Sequence, residues 1–203
     1  MPTREQITRH DPPPAPPGAD PWVDGAAPER GIEIVEPNEA WPASYDVLAE
    51  RIRDVLGWRV LALDHVGSTS VPGLPAKPII DAVLVVADPE QERVWLPGLV
   101  QAGFVHRVRE PWWWGHRLLR HDAPRCHLHV FGPDAPEPIR LRLFRDWLRA
   151  HPGEVARYAD AKREAAAAAN AAGEHMMDYN ARKQAVIREI YDRAFRAAGL
   201  LDA

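Results

Sequence analysis

The sequence predicts an α/β domain: a sheet of short strands flanked by a C-terminal helical layer. Three observations carry this. Two short apolar runs, Trp58 to Leu63 and Ile79 to Val86, are partly β-branched and bounded by turn residues, as buried strands are. Three more short runs, at 104–108, 116–120 and 126–131, are separated by Gly, Pro and Asp punctuation. After Gly132-Pro133 the apolar residues recur at helical spacing to the end of the chain.

Composition bounds what this domain can be. At 203 residues, with 46% hydrophobic and 27% charged residues, the chain suits one globular domain with length left for a tail. A net charge of −4 argues against a protein that coats nucleic acid. Cys126 is the only cysteine, which excludes a disulfide framework and fits a reducing compartment. The opening Met-Pro-Thr-Arg-Glu-Gln has no apolar h-region, and no run approaches the ~20 apolar residues of a membrane span. A cytoplasmic protein without a signal peptide or membrane span is expected.

The elements follow in order. Residues 1–30 are rich in Pro, Gly, Asp and Ala and read as a disordered arm, because they bury too little apolar surface to offset ordering entropy. A polyproline ligand for a partner is the functional alternative, and Trp22 is the residue placed to tack the arm down. The folded domain is expected over 31–203. Gly31 to Glu36 alternates apolar and charged residues, as a half-exposed strand does. Asn38 caps a helix from about Ala40 to Leu56, with Pro42 in its first turn and Gly57 at its end. Strands are expected at 59–65 and 79–87, then a helix over 90–102, a strand at 104–108 and a return strand at 116–120. Between these last two, Glu110-Pro-Trp-Trp-Trp-Gly-His116 is a turn-rich aromatic cluster; packing is its plainer reading and base stacking the alternative. In Cys126-His-Leu-His-Val-Phe131, strict alternation puts His127, His129 and Phe131 on one face and Cys126, Leu128 and Val130 on the other. Helices are expected over 137–150, 154–172 and 176–198, the last carrying Tyr179 and Lys183 on one face, four residues apart.

The loop between the first two strands raises a chemical question. Asp81 sits inside an apolar strand, where a carboxylate must be paired, hydrogen-bonded or bound to metal. Gly67-Ser68, with the hydroxyls of Thr69 and Ser70, can hold a phosphate, because Gly permits close approach and the hydroxyls donate to anionic oxygens. Lys77 adds a positive charge. The plainer reading is a Pro/Gly-shaped connector whose Ser and Thr cap local turns. His65 either orients Asp81 or is a satisfied structural histidine. Lys77, Lys162, Lys183, Arg125 and Arg145 are candidate clamps for phosphate or carboxylate, although a lysine on an otherwise apolar helix face also snorkels to solvent.

The run from His65 to Asp81, His-Val-Gly-Ser-Thr-Ser-Val-Pro-Gly-Leu-Pro-Ala-Lys-Pro-Ile-Ile-Asp, resembles the signature of the GrpB-like proteins. Those proteins look like members of the polymerase-β-type nucleotidyltransferase fold superfamily. The resemblance extends through His127-Leu-His-Val130, Phe144-Arg-Asp-Trp-Leu148, Tyr158, Lys162, Tyr179 and Lys183, and spans roughly Gly31 to Leu200. It implies a mixed sheet of the nucleotidyltransferase type. It also implies a cleft between the signature loop, the His127/His129 strand and the helix of Tyr179 and Lys183, with Lys162, Tyr179 and Lys183 turned into it. In that superfamily, carboxylates on two strands hold two Mg²⁺ ions. Gly67-Ser68 and Asp81 match that pattern, but Val83 stands at the second carboxylate position and His127 and His129 at the third.

The resemblance therefore implies a nucleotidyltransferase-like enzyme acting on a nucleoside triphosphate and a small acceptor. Gly67, Ser68, Thr69, Ser70, Lys77, Lys162, Tyr179 and Lys183 would bind the nucleotide. Asp81, His127 and His129 would be catalytic, with a divalent metal (Mg²⁺ or Mn²⁺, alternatively Zn²⁺) on Asp81 and His129. The alternatives are a degenerate binding module for a phosphate- or carboxylate-bearing metabolite, and a small-metabolite ligase or cyclase reusing the cleft. A small-molecule or nucleotide ligand is expected, without membrane or nucleic-acid partners.

Overall fold

The computed structural model describes residues 1–28 and 30–202; Glu29 and Ala203 of the expected arm and domain lie outside the described residues. Among the described residues five strands form one mixed sheet: β1 (Ala62–Val66), β2 (Ile80–Val85), β3 (Val105–Glu110), β4 (His116–Asp122) and β5 (Arg125–Phe131). Their order across the sheet is β1-β2-β5-β4-β3. Only the β2–β5 pairing is parallel; its register sets Asp81 beside His127 and Val83 beside His129. The other pairs are antiparallel.

One sheet face is dry. Ala82 and Leu84 of β2 join Cys126, Leu128 and Val130 of β5 and Leu119 of β4. Leu48, Ile52 and Leu56 of α2 (Trp41–Leu56) and Trp95 and Leu99 of α3 (Glu92–Gln101) pack on them. The alternation of β5 sends His127 and His129 to the other face. Over that side lie α4 (Glu137–Ala150), α5 (Pro152–Ala171), α6 (Met176–Arg182) and α7 (Gln184–Ala197). Among the described residues no helix is long and apolar enough to cross a membrane.

Three expectations are corrected. The strand expected at 31–36 does not join the sheet. Ile32 exchanges two hydrogen bonds with the Asn170 side chain, donating at 2.9 Å and accepting at 2.8 Å, while Val35 pairs with Ala76 in an isolated bridge. Ala165, Ala166 and Ala169 of α5 are small enough to let this segment lie against the helix. The single helix expected over 176–198 is two, divided at Lys183, whose φ of −95° and ψ of 0° leave the helical ladder.

The residues read as a disordered arm are packed on the domain. A helix, α1 (Arg4–Thr8), opens with a capping box between Thr3 and Gln6. Ile7 of α1 is buried against Tyr191 and Phe195, and the buried Arg140 donates to the carbonyls of Ile7 and Arg9. Farther on, the arm lies along β3: Val23 N–H donates to Arg107 O at 3.0 Å and Arg109 N–H to Pro21 O at 2.8 Å. Composition missed this because a few anchors, Ile7 and Trp22 among them, are enough to fix an otherwise polar segment.

Candidate functional site

Between the His127/His129 face of the sheet and the C-terminal helices lies a cavity of about 590 Å³, within the usual range for small-molecule sites. Its polar groups come from three directions. The signature loop supplies Gly67 and Ser68, the sheet supplies Asp81, His127 and His129, and the helical layer supplies Tyr158, Lys162, Tyr179 and Lys183. Trp113, Phe131 and Leu141 form an apolar wall, and Pro21 and Trp22 of the arm close one side.

Gly67 is fitted to Asp81. Its φ is +67°, and a Cβ there would overlap the Asp81 carboxylate and stand 2.7 Å from Asp81 Cβ. The loop therefore reaches the carboxylate only with a residue that has no side chain. Asp81 keeps 35% of its side chain exposed, and its Oδ1 stands 3.8 Å from His127 Nδ1. Burial pushes the Tyr158 hydroxyl up to about 12, against the pull of nearby Ser68.

Lysines dominate the opposite side. Lys162 is 2% exposed, and its buried Nζ has no hydrogen-bond partner among the described residues. It lies 4.7 Å from the Tyr158 ring centroid. Burial first, then the nearby Lys183 charge, bring its pKa down to about 6, with Asp81 pulling the other way. Burial also lowers Lys183, to about 8, again against the pull of Asp81. The Lys183 and Lys77 ammonium groups lie 4.6 Å and 5.6 Å from the Tyr179 ring centroid, and Lys77 Nζ also approaches Met176 Sδ at 2.6 Å. Lys162, Tyr179 and Lys183 thus face the cavity, and the break between α6 and α7 sits at Lys183.

Five expected contributors point elsewhere. Thr69 hydroxyl donates to Ile79 O at 3.3 Å and shares a 3.0 Å hydrogen bond with His65 Nε2; Ser70 hydroxyl donates to Gly67 O at 2.6 Å. Both hydroxyls hold the loop from inside, leaving the backbone of Gly67 and the Ser68 side as its cavity surface. His65 is buried, stacked on Tyr45 at 4.7 Å, and burial lowers its pKa to about 4. It is a structural histidine of the loop. Arg145 binds Asp146, His65 O and Asp64 behind β1, and Arg125 is exposed at the start of β5, away from the cavity.

Two residues not singled out from the sequence complete the site. Glu110 Oε2 is 2.7 Å from His116 Nδ1, and His116 Nε2 is 3.0 Å from His129 Nδ1. His116 is buried, and burial brings both His116 and His129 down to about 3, so both rings are neutral. The signal was present in the hairpin: Glu110 and His116 flank a five-residue turn and pair directly across β3 and β4.

The expected metal does not fit this donor set. Among the described residues no three His, Cys, Asp or Glu side chains gather as a group able to hold an ion. Lysine side chains rather than further carboxylates surround Asp81. Val83, at the second carboxylate position, is 1% exposed and packed with Val66 and Phe131.

Comparison with known proteins places this geometry in a family. The sequence model described as GrpB protein matches residues 31–193. The chain belongs to the GrpB family. A UPF0157 protein of Halalkalibacterium halodurans is 42% identical over 163 residues, covering 80% of this chain and 82% of that protein. The crystal structure of a conserved protein GrpB from Enterococcus faecalis superposes with a TM-score of 0.70 at 28% identity, over 82% of this chain and 99% of that one. A dephospho-CoA kinase of Mycolicibacterium paratuberculosis is 28% identical over 190 residues, covering 81% of this chain but 46% of the kinase. The mixed sheet with helices on both faces is the arrangement this GrpB family chain shares with the E. faecalis structure.

Proposed function

We propose that this GrpB-family chain binds a small phosphate- or carboxylate-bearing metabolite and acts on it by acid–base chemistry, on a nucleotidyltransferase-type fold without the two-metal site. The observation that carries this is Lys162. A buried amine without a hydrogen-bond partner, facing a cavity beside Lys183 and Lys77, is costly by itself and is satisfied by an anion. An anion there restores the Lys162 proton. Asp81 and His127, side by side on the sheet, then stand where a proton can be given or taken.

Nucleotidyl transfer is the second reading, favoured by the fit of the Gly67-Ser68 loop to Asp81. Against it stands the buried Val83, which cannot hold a second metal. The kinase name belongs to the mycobacterial protein, of which this chain matches less than half. The sequence here has no G-x-x-x-x-G-K-[ST] phosphate loop.

Isothermal titration separates the readings, using pyrophosphate, malonate and ATP, with and without Mg²⁺, on the wild type, Lys162→Met and Asp81→Asn. The expected result is metal-independent binding of at least one anion, abolished in Lys162→Met, with proton uptake seen as a buffer-dependent enthalpy. ATP binding that requires Mg²⁺ and disappears in Asp81→Asn favours nucleotidyl transfer instead. Absence of binding by all three ligands overturns both.

A further inference from the structure

We infer that Glu110, His116 and His129 form a relay that makes Nε2 of His129 a further proton acceptor in the cavity, beside Asp81 and His127, for a substrate presenting a hydroxyl or amino proton beside its anionic group. This rests on the cavity being the ligand site proposed above. The argument is one of donors and acceptors. Burial raises the Glu110 carboxyl above its usual range; in its ionised form it only accepts, so His116 donates Nδ1–H to it across 2.7 Å. A neutral His116 then has a bare Nε2, which must accept, so His129 donates Nδ1–H across 3.0 Å. The nitrogen left to His129 is an unprotonated Nε2, and His129 lines the cavity.

The relay is held rigidly. His116 stacks on Phe131 at 4.8 Å, and Trp113 closes over it at 4.6 Å. Burial of His116 favours its neutral form. In the step, the substrate O–H or N–H bond breaks, its electron pair stays on the substrate atom, and the proton forms a bond to His129 Nε2. The new imidazolium keeps its Nδ1–H bond to His116 and, through that ring, faces the Glu110 carboxylate. Glu110 and His116 are positioning residues; His129 is the group that meets substrate.

The test is the His129 tautomer, read by nitrogen-15 NMR on the full-length protein with labelled imidazoles at neutral pH. His129→Gln assigns the signals. The expected form carries its proton on Nδ1, the opposite of the form a free imidazole prefers. Glu110→Gln keeps a carbonyl acceptor for His116 and retains that tautomer. Glu110→Ala shifts His129 toward Nε2–H, and so does His116→Phe, which keeps the stacked ring and serves if Glu110→Ala misfolds. A wild-type His129 protonated on Nε2, or a tautomer unmoved by both Glu110→Ala and His116→Phe, overturns the relay. Anion titration of the same samples separates the two ideas. A wrong tautomer with intact anion binding sinks the relay alone, whereas failed anion binding with the expected tautomer sinks the cavity reading and the relay's role with it.

Discussion

Lys162 makes the stability of this chain depend on pH in a defined direction. Its ordinary value of 10.5 falls to about 6, chiefly through burial. Between those values the unfolded chain binds more protons at this residue than the folded one does, so stability rises with pH across that window. The contribution is fully present above the unfolded value and is lost as pH falls through about 6. Lys162→Met removes both the slope and the buried, unpartnered amine. The expected outcome is a variant more stable than wild type near neutral pH, by about 1–3 kcal/mol, with the gap closing toward alkaline pH. Thermal melts of both proteins across that pH range check it. The same substitution is expected to abolish the proposed anion binding, so that stability and function would trade against each other at one side chain.

At the scale of elements, periodicity read the sheet well and the loops less well. The alternation in β5 separates Leu128 and Val130 from His127 and His129, which is the division the structure shows. The carboxylate inside β2 pointed to Asp81, which does face the cavity. Loop hydroxyls carry no such directional information: Thr69 and Ser70 were free by sequence to face out or in, and backbone acceptors drew them in. Nor does spacing register a single non-helical residue, so the break at Lys183 hid inside a continuous apolar period. Glu110 and His116 went unread because their relation is across a hairpin, 2.7 Å apart in space and at the two ends of an aromatic turn in sequence. α1 shows the limit of composition. Its attachment to α7 rests on Ile7 under Tyr191 and Phe195, with Arg140 holding the carbonyls beyond. Ile7→Ala is expected to cost about 2 kcal/mol and to lower Tm by roughly 4–8 °C for a chain of this size, read by calorimetry. An unchanged Tm would mean that α1 does not add to the cooperative unit.

For the whole molecule, the cavity joins sheet and helical layer, so an anion that bridges them stabilises the complete domain. A ligand at a hundred times its Kd adds about 2.7 kcal/mol, which at roughly 2–4 °C per kcal/mol raises Tm by about 5–11 °C. A thermal-shift series with pyrophosphate on wild type and Lys162→Met should show that rise in the first and none in the second. The arm has a further consequence at this scale. β3 is the last strand of the sheet, and its outer side would offer unpaired N–H and C=O groups to any other chain. The backbone between Pro21 and Val23 takes up that side, as the Arg107 and Arg109 hydrogen bonds show. Pro21 suits this position, because proline cannot donate to a further strand and so does not pass the template outward. The segment that closes one wall of the cavity thus also occupies the edge at which a neighbouring copy would have to add to the sheet.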